Sequence, residues 1–460
     1  MASATGDFSK GKVSSAILRI GLPMMAAEFV NVLYNLVDRM YIGHLEGTGT
    51  VALTGIGISF PLISLISAFS GFCGSGGAPL SSIARGAGQE EKAKRIQETS
   101  FTLMLAVGLF LTLLLFPLAP VLLRLLGGDD ETLPYALSYF RIYVLGSVPV
   151  LITLGMNSFI NAQGFSKTAM LTIIISAVIN IILDPVMIYV FNMGVAGAAL
   201  ATVISQLAGA IWVTLFLTGK RPPLRITGLL IDGSALKDIL KLGITGFTFR
   251  MTNSLTQAVV NIMLKAWGGA LSTVYVGAMS LISSVREFTS LPANGITNGA
   301  QPVMGFNYGA RLYRRVSEAI RFSFLCALFV NTVIWALMML VPSVMFRVFT
   351  DDEQLISTAV HCARIYFGVF PFMAMQMAGQ YTFVALNYPR YALFFSLLRK
   401  VILVAPLTLL LPGLGLGVDG VFWAEFISQL VGATACFLTM RHVIWRRMKD
   451  PEPESTIPAE

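Results

Sequence analysis

Two short motifs in this chain recur at one spacing, and they decide how the fold is organised. Gly-Val-Ala-Gly at 194–197 is followed by Ile-Ser-Gln-Leu at 204–207. About 223 residues later, Gly-Val-Asp-Gly at 417–420 is followed by Ile-Ser-Gln-Leu at 427–430. The same offset relates further matches over about 200 residues, and chance does not preserve one offset over such a length. The sequence therefore predicts two lobes that repeat one architecture.

The composition places both lobes in a membrane. Of the 460 residues, 55% are hydrophobic and 12% are charged, whereas soluble proteins carry about 25% charged residues. This excludes a soluble enzyme, a DNA-binding domain and a secreted disulfide scaffold. We expect an all-α polytopic membrane protein with twelve transmembrane helices in two pseudo-symmetric six-helix lobes. The predicted spans lie near 14–42, 52–84, 97–124, 135–163, 167–191, 196–218, 238–264, 273–307, 317–346, 356–386, 391–411 and 419–443.

The basic residues predict the orientation of these helices. The formal net charge is +8, but Lys and Arg form short clusters without aromatic residues between them, which argues against nucleic-acid binding. The clusters occupy alternate loops, so the positive-inside rule predicts a multi-pass protein of the cell (plasma) membrane with both termini cytoplasmic. The predicted segments are a cytoplasmic N-terminal segment at 1–13, an N-lobe (helices 1–6) at 14–219, a cytoplasmic linker at 220–236, a C-lobe (helices 7–12) at 237–445 and a disordered cytoplasmic tail at 446–460.

The duplication also predicts how the protein works. Six helices return the chain to its starting side, so the two halves share one orientation and are related by an axis along the membrane normal. Lobes related in this way favour alternating access to a solute site at mid-membrane. The chain lacks the GxxxxGK[ST] loop that binds ATP. An ion gradient must therefore supply the work, unless a separate ATPase subunit attaches.

Matched polar stripes on the first and seventh helices mark a candidate substrate pathway. Their side chains share one helical face, and neither stripe can face lipid without cost. The alternative is that they only bridge neighbouring helices, and Glu28 and Arg250 could simply neutralise each other. The candidate pathway residues are Glu28, Asn31 and Asn35 on the first helix, Asn157 on the fourth, and Arg250, Asn253 and Gln257 on the seventh.

Two acidic residues of the first half have no acidic counterpart in the second. They are Asp38 on the first helix and Asp184 on the fifth, where Asn180 precedes Asp184 by one turn. Together with Thr202 of the sixth helix, they supply the oxygen ligands that a small cation needs. Two close carboxylates could equally share one proton, and a structural role, with Asp184-Pro185 capping a broken helix, is a further alternative. The residues leave sodium and proton coupling open.

Several of these motifs together resemble one family. They are YNLVDRMYIG at 34–43, Gly-Ala at 86–87 and 309–310, NIILDP at 180–185 and GVAGAALATVISQ at 194–206. The combination resembles the multidrug and toxic compound extrusion (MATE) family, nearest its MepA-like bacterial branch. The resemblance implies a twelve-helix antiporter that exports organic cations, such as drugs and toxins, in exchange for inward Na⁺ or H⁺.

The resemblance also implies roles for individual residues. The implied cation site of the N-lobe consists of Asp38, Asn180, Asp184 and Thr202, which are the metal ligands if the ion is Na⁺. Some relatives use an acid on the seventh helix, where this sequence has Gln257. Glu287 on the eighth helix and Glu425 on the twelfth could stand in for it. Glu287 could instead pair with Arg286, and Glu425 could be structural.

Other functions fit the residues less well. A flippase for lipid-linked saccharides, from the same superfamily, would need several Arg or Lys in its cleft. Arg399 and Lys400 on the eleventh helix would favour it if they pointed inward, but we expect them to support the helix instead. A membrane enzyme needs a nucleophile–base or metal constellation, which three separated histidines do not form. A gated channel needs a ring of equivalent charges. We expect no cofactor, nucleic acid or obligate protein partner, and the expected partners are small organic cations, Na⁺ or H⁺, and the lipid bilayer.

Overall fold

A computed structural model describes residues 7–43 and 49–449 of the chain. The first six residues of the predicted N-terminal segment, and the predicted tail from residue 450 onward, lie outside the described residues. The described residues form helices and turns without any strand. The predicted all-helical fold is therefore confirmed.

Eighteen α-helices make up the described part of the chain. In the first half they are α1 (Val13–Gly43), α2 (Gly49–Phe69), α3 (Ala78–Gly86), α4 (Glu90–Leu125), α5 (Leu133–Leu145), α6 (Ser147–Ala162), α7 (Ser166–Pro185) and α8 (Gly194–Thr218). In the second half they are α9 (Gly233–Trp267), α10 (Ser272–Gly309), α11 (Tyr313–Leu340), α12 (Pro342–Arg347), α13 (Glu353–Tyr366), α14 (Met373–Ala385), α15 (Pro389–Leu397), α16 (Ala405–Leu410), α17 (Asp419–Met440) and α18 (Arg446–Lys449). Wider π-helical turns at Val186–Val190 and Leu398–Val404 follow α7 and α15.

Eight helical segments in the described residues are each long and apolar enough to cross a membrane. Two bent pairs, α5 with α6 and α13 with α14, raise the number to ten if each pair is one span. The predicted seventh and eighth spans coincide with α9 and α10, which have 35 and 38 residues. Polar side chains interrupt the apolar sequence of α9, including Arg250, Asn253 and Gln257, and this lowers its hydropathy.

The two bent pairs show the repeat directly in the structure. The bend between α5 and α6 is 58°, and the bend between α13 and α14 is 52°. At the first bend, a Cβ atom on Gly146 would lie 2.6 Å from the Val203 side chain of α8. At the second, a Cβ atom on Gly368 would lie 2.8 Å from the Phe426 ring of α17. Val203 and Phe426 are 223 residues apart, which is the repeat offset. In each half, therefore, the glycine at the bend packs against the same position of the last long helix.

The chain packs as two compact units. Unit 1 comprises Met1–Asp7 and Ala26–Phe247, and unit 2 comprises Phe8–Met25 and Thr248–Glu460. Both divisions fall inside long helices, α1 and α9. The predicted linker at 220–236 belongs to unit 1 by this division, and the lobe bounds stay a prediction.

Side chains of α4 hold the predicted linker within unit 1. Glu98 Oε1 accepts hydrogen bonds from the backbone nitrogen and the hydroxyl of Thr227, both at 2.8 Å. Gln163 of the turn after α6 accepts from the backbone nitrogen of Leu224 at 3.0 Å and donates to Gln97 Oε1 at 2.9 Å. All three of these side chains are buried. The linker is therefore fixed to unit 1 by specific polar contacts.

Candidate functional site

Three polar side chains meet between α7 and α8 in unit 1. Asn180 Nδ2 donates to Asp184 Oδ1 at 3.2 Å and lies 3.5 Å from Thr202 Oγ1. The Thr202 hydroxyl itself donates to the carbonyl of Ala198 at 3.0 Å. Asn180 and Asp184 are fully buried and Thr202 is nearly so. The structure thus brings three of the four predicted cation-site residues together.

Local sequence explains why these side chains meet. Asn180 and Asp184 are four residues apart and therefore lie on one face of α7. The α-helix ends at Pro185, which cannot donate a backbone hydrogen bond, and the chain continues in the π-helical turn Val186–Val190. The facing side of α8 carries small residues such as Ala198 and Ala201, which are buried and let the two helices pack closely.

The fourth predicted residue, Asp38, joins the site from α1. Its carboxyl lies within hydrogen-bonding range of the Asp184 carboxyl. Two tyrosines lie near these four residues. Tyr34 of α1 is in electrostatic range of both acids, and Tyr139 of α5 lies beside Thr202 and near Asp38. We name Asp38, Asn180, Asp184 and Thr202, with Tyr34 and Tyr139, the acidic cluster.

Buried oxygen atoms of the acidic cluster are available to a ligand. Among the described residues, no donor meets the buried Asn180 Oδ1 or the buried Asp184 Oδ2. The neighbouring Asp38 carboxyl is an acceptor when ionised, so the two acids can hydrogen-bond to each other only if one of them carries a proton, and the protonated one is then the donor. Buried acceptors without donors are costly, and a bound cation or proton removes that cost. Carboxylate, amide and hydroxyl oxygens are the donor set that hard cations take.

This donor set differs from that of a transition-metal centre. The described residues contain no group of three or more His, Cys, Asp or Glu side chains placed to hold a metal ion. The acidic cluster has two carboxylates, and its remaining polar atoms come from amide and hydroxyl groups. Its oxygen atoms suit a hard cation, and its carboxylates can also take a proton.

The other predicted residues of unit 1 lie elsewhere. Glu28 is partly buried and Asn31 is exposed on α1, and the Asn35 side chain lies outside what the structure describes. Asn157 of α6 donates to the carbonyl of Ala169 and accepts from Thr172 Oγ1, both at 3.1 Å. Asn157 therefore links α6 to α7, which is the interhelical contact expected of many polar residues in membrane helices.

In unit 2 the predicted residues divide between a surface and a buried cluster. Arg250 and Glu287 are exposed, while Asn253, Gln257 and Glu425 line a cavity. Within this set, Gln257 Nε2 donates to Asn261 Oδ1 at 3.3 Å.

Glu425 is held by two buried basic residues from the predicted eleventh helix. Lys400 Nζ lies 3.1 Å from Glu425 Oε1, and Arg399 NH1 lies 3.6 Å from the same oxygen. Arg399 and Lys400 are 3% and 6% exposed. The expectation that Lys400 only supports its helix is wrong, because it lines the cavity beside Glu425. The signal that could have found it is the repeat, because its counterpart in the first half is Ala177, about one turn before Asn180 on α7.

Comparison with known proteins decides the family. The sequence profile of the MatE family matches residues 23–186 and 251–410. The chain belongs to the MatE family. The two matched segments begin and end at nearly the repeat offset, so each half of the chain carries its own copy of the family sequence.

Curated relatives of this MatE chain resemble it over almost its whole length. The multidrug export protein MepA of Staphylococcus aureus (strain NCTC 8325 / PS 47) is 24% identical over 433 residues, which cover 94% of each chain. MepA of Staphylococcus haemolyticus (strain JCSC1435) is 23% identical over 435 residues, again covering 94% of each chain. Family membership supports a membrane-embedded transporter of the multidrug-export class rather than an enzyme.

Solved structures show the same fold. A multidrug resistance MATE family transporter of the MOP superfamily, in an outward-facing conformation, aligns with a TM-score of 0.90 at 23% identity over 98% of this chain and 99% of that one. A MOP superfamily transporter from Pyrococcus furiosus Vc1, described as having a binding pocket of reverse polarity, aligns with a TM-score of 0.89 at 24% identity over 98% and 99%. At these identities the likeness shows the fold alone.

Proposed function

We propose that this chain is a secondary antiporter that exports lipophilic organic cations in exchange for inward Na⁺ or H⁺. The observation that carries the proposal is the acidic cluster, in which Asp38 and Asp184 lie within hydrogen-bonding range and buried oxygens lack donors. The protein would act by alternating access in the plasma membrane, with both termini cytoplasmic and no obligate protein partner.

The acidic cluster supplies a simple coupling device. With both carboxyls ionised, like charges face each other in a low-dielectric interior, and this is unfavourable. A sodium ion or a proton relieves the repulsion and reduces the cluster's negative charge from two to one. An organic cation relieves the same repulsion from elsewhere in unit 1. The two ligands therefore exclude each other, and the coupling free energy is reciprocal and of order 1–3 kcal/mol.

The substrate class follows from the charge and from the relatives. The relatives named above are multidrug export proteins, which supports small organic molecules as substrates. Buried acids in a membrane helix bundle favour cationic over anionic solutes, because an uncompensated charge there costs at least about 2.5 kcal/mol.

Binding measurements test the proposal directly. The affinity of purified full-length protein for ethidium, measured by fluorescence, should weaken as Na⁺ rises at high pH or as pH falls without Na⁺. The expected weakening is about 5- to 150-fold, which corresponds to the coupling range above. Only the coupling ion should have this effect, so the experiment also distinguishes sodium from protons. A flat response to both ions would remove direct competition from the mechanism.

A flippase for lipid-linked saccharides is a second candidate, and one observation favours it. Arg399 and Lys400 are buried, and basic residues in the interior could neutralise a pyrophosphate. Glu425 already neutralises part of that charge, at 3.1 Å from Lys400. Reconstituted protein that moves a lipid-linked saccharide across vesicles, but does not move ethidium, would replace the antiporter proposal.

A further inference from the structure

Unit 2 contains a cavity whose charge is opposite to that of the acidic cluster. The cavity measures about 40 Å³, and Arg286, Tyr366, Lys400 and Glu425 contribute its charged and hydroxyl groups. Its other walls are amides and hydroxyls from α9 and apolar side chains from α9, α10 and α17. Judged by the cavity volume that one buried water molecule needs, this space holds about three water molecules or a small ligand group.

We propose that this cavity binds a carboxylate, as a small organic acid or as one group of a larger molecule. The inference is independent of which ion drives transport, and it concerns a ligand that the acidic cluster would repel.

The first support is the charge balance around the cavity. Three cations, Arg286, Arg399 and Lys400, surround Glu425. A further carboxylate, Glu287, interacts with this group and lies next to Arg286 on α10, where it is exposed. With Lys400 protonated, the three basic groups carry one positive charge more than the two carboxylates can balance. A single negative charge restores neutrality, whereas a doubly charged anion reverses the imbalance.

The second support is an unused hydrogen-bond donor beside the cations. Arg399 NH1 donates to Gln429 Oε1 at 3.5 Å, which fixes the orientation of that amide. Gln429 Nε2 is then a buried donor that no described residue accepts from. A buried donor without an acceptor is costly, and it indicates that an acceptor belongs nearby. The cluster around the cavity therefore lacks an acceptor, although Gln429 is not one of the residues that line the cavity itself.

The geometry favours a carboxylate over a spherical halide. Arg286 offers a planar guanidinium, which matches a carboxylate with two parallel hydrogen bonds. Lys400 adds a point charge, and the Asn253 and Gln257 amides can donate to a second oxygen. Apolar neighbours such as Phe422 suit the hydrocarbon part of an organic acid.

The repeat shows that the cavity is a specific feature of this half. The unit 1 positions that correspond to Arg399, Lys400 and Glu425 hold Ser176, Ala177 and Thr202. The common architecture does not require the basic residues, since unit 1 forms the same helices without them. Burying these charged side chains costs free energy that packing alone does not recover. A role in ligand binding accounts for their presence.

Calorimetric titration of purified full-length protein tests the proposal. Sodium propionate, sodium chloride and sodium pyrophosphate are compared at constant sodium concentration and pH 7. Propionate should bind with one site per chain and more tightly than the other two. Stronger binding of chloride, stronger binding of pyrophosphate, or no binding of propionate would each overturn the carboxylate assignment.

Variants of the cavity residues test whether propionate binds in this cavity. Lys400→Gln should weaken propionate binding by about tenfold or more, while Lys265→Gln, a matched change at an exposed lysine of α9, should leave it unchanged. Glu425→Gln guards against a simple folding defect, because it removes the carboxylate that competes with the ligand. It should tighten propionate binding, and weaker binding in this variant would contradict the proposal.

Discussion

Asn180 donates from Nδ2 to Asp184 Oδ1 over 3.2 Å, one turn along the same helix. The amide thereby uses its donor on the carboxylate and keeps its own oxygen, Oδ1, as a buried acceptor without a donor among the described residues. The pair is therefore arranged to hold something positive. The counterparts of both residues in the second half, Leu403 and Leu407, are apolar, so the arrangement belongs to unit 1.

Asn180→Leu tests whether this amide is a ligand. The variant places the residue of the second half in unit 1 and removes an oxygen ligand together with a hydrogen bond to Asp184. We expect the apparent affinity for the coupling ion in ethidium export to fall by about tenfold. The thermal unfolding profile should stay close to that of the wild type. An unchanged ion dependence would show that the amide oxygen does not bind the ion.

Tyr139→Phe tests a residue that the structure adds to the site. The hydroxyl lies beside Thr202 and near Asp38, and its loss removes one neutral hydrogen-bond partner. We expect a loss of about fivefold in apparent ion affinity, with little change in the maximal rate. Tyr135→Phe, on the same helix α5 but outside the acidic cluster, is the matched control. Equal effects of both variants would assign the change to helix packing.

Glu98→Ala tests how the linker is held in unit 1. The variant removes the acceptor of two 2.8 Å hydrogen bonds from Thr227. We expect the free energy of unfolding to fall by about 1–3 kcal/mol. Glu91→Ala, at an exposed position about two turns earlier on α4, should change it by less than about 0.5 kcal/mol. Similar stabilities of the two variants would mean that the linker contacts contribute nothing measurable.

Asp232→Ala tests an electrostatic contribution at the start of α9. Hydrogen bonds from the Ser234 hydroxyl and from the backbone nitrogens of Ala235 and Ser234 lower the pKa of Asp232 below its ordinary value of 3.8. Because the folded pKa is lower than the unfolded one, the stabilisation is complete above about pH 3.8 and is lost as pH falls through the folded pKa.

The melting temperatures of the wild type and of Asp232→Ala are measured from pH 6 to below pH 3.8. The wild type should melt higher than Asp232→Ala at pH 6, and the difference should shrink steadily below pH 3.8. A difference that is constant with pH would assign the effect to the side chain's packing and not to its charge.

The sequence predicted the fold because its signals are strong in membrane helices. Long apolar runs and one constant repeat offset are enough to predict an all-helical duplicated architecture, which the structure confirms. The spacing of Asn180 and Asp184 also predicted that they share a face, because α7 is a regular helix as far as Pro185.

The sequence did not predict the basic cavity of unit 2. Lys400 lies in a π-helical turn, Leu398–Val404, where the spacing of 3.6 residues per turn no longer says which face a side chain takes. Tyr139 was missed for a different reason. Buried tyrosines are common in helix packing, and the sequence does not say which neighbouring helix they contact. Only the structure places Tyr139 beside Thr202.

Ethidium efflux from proteoliposomes under an imposed gradient tests the central claim most directly. Inward Na⁺ and inward H⁺ gradients are imposed separately. Wild-type protein should export ethidium under one of the two gradients and should not respond to the other. Asp184→Asn should lower this export by at least tenfold, whereas Asp130→Asn, at an exposed position after α4, should not change it. Gradient-driven export by Asp184→Asn at the wild-type rate would contradict coupling through the acidic cluster.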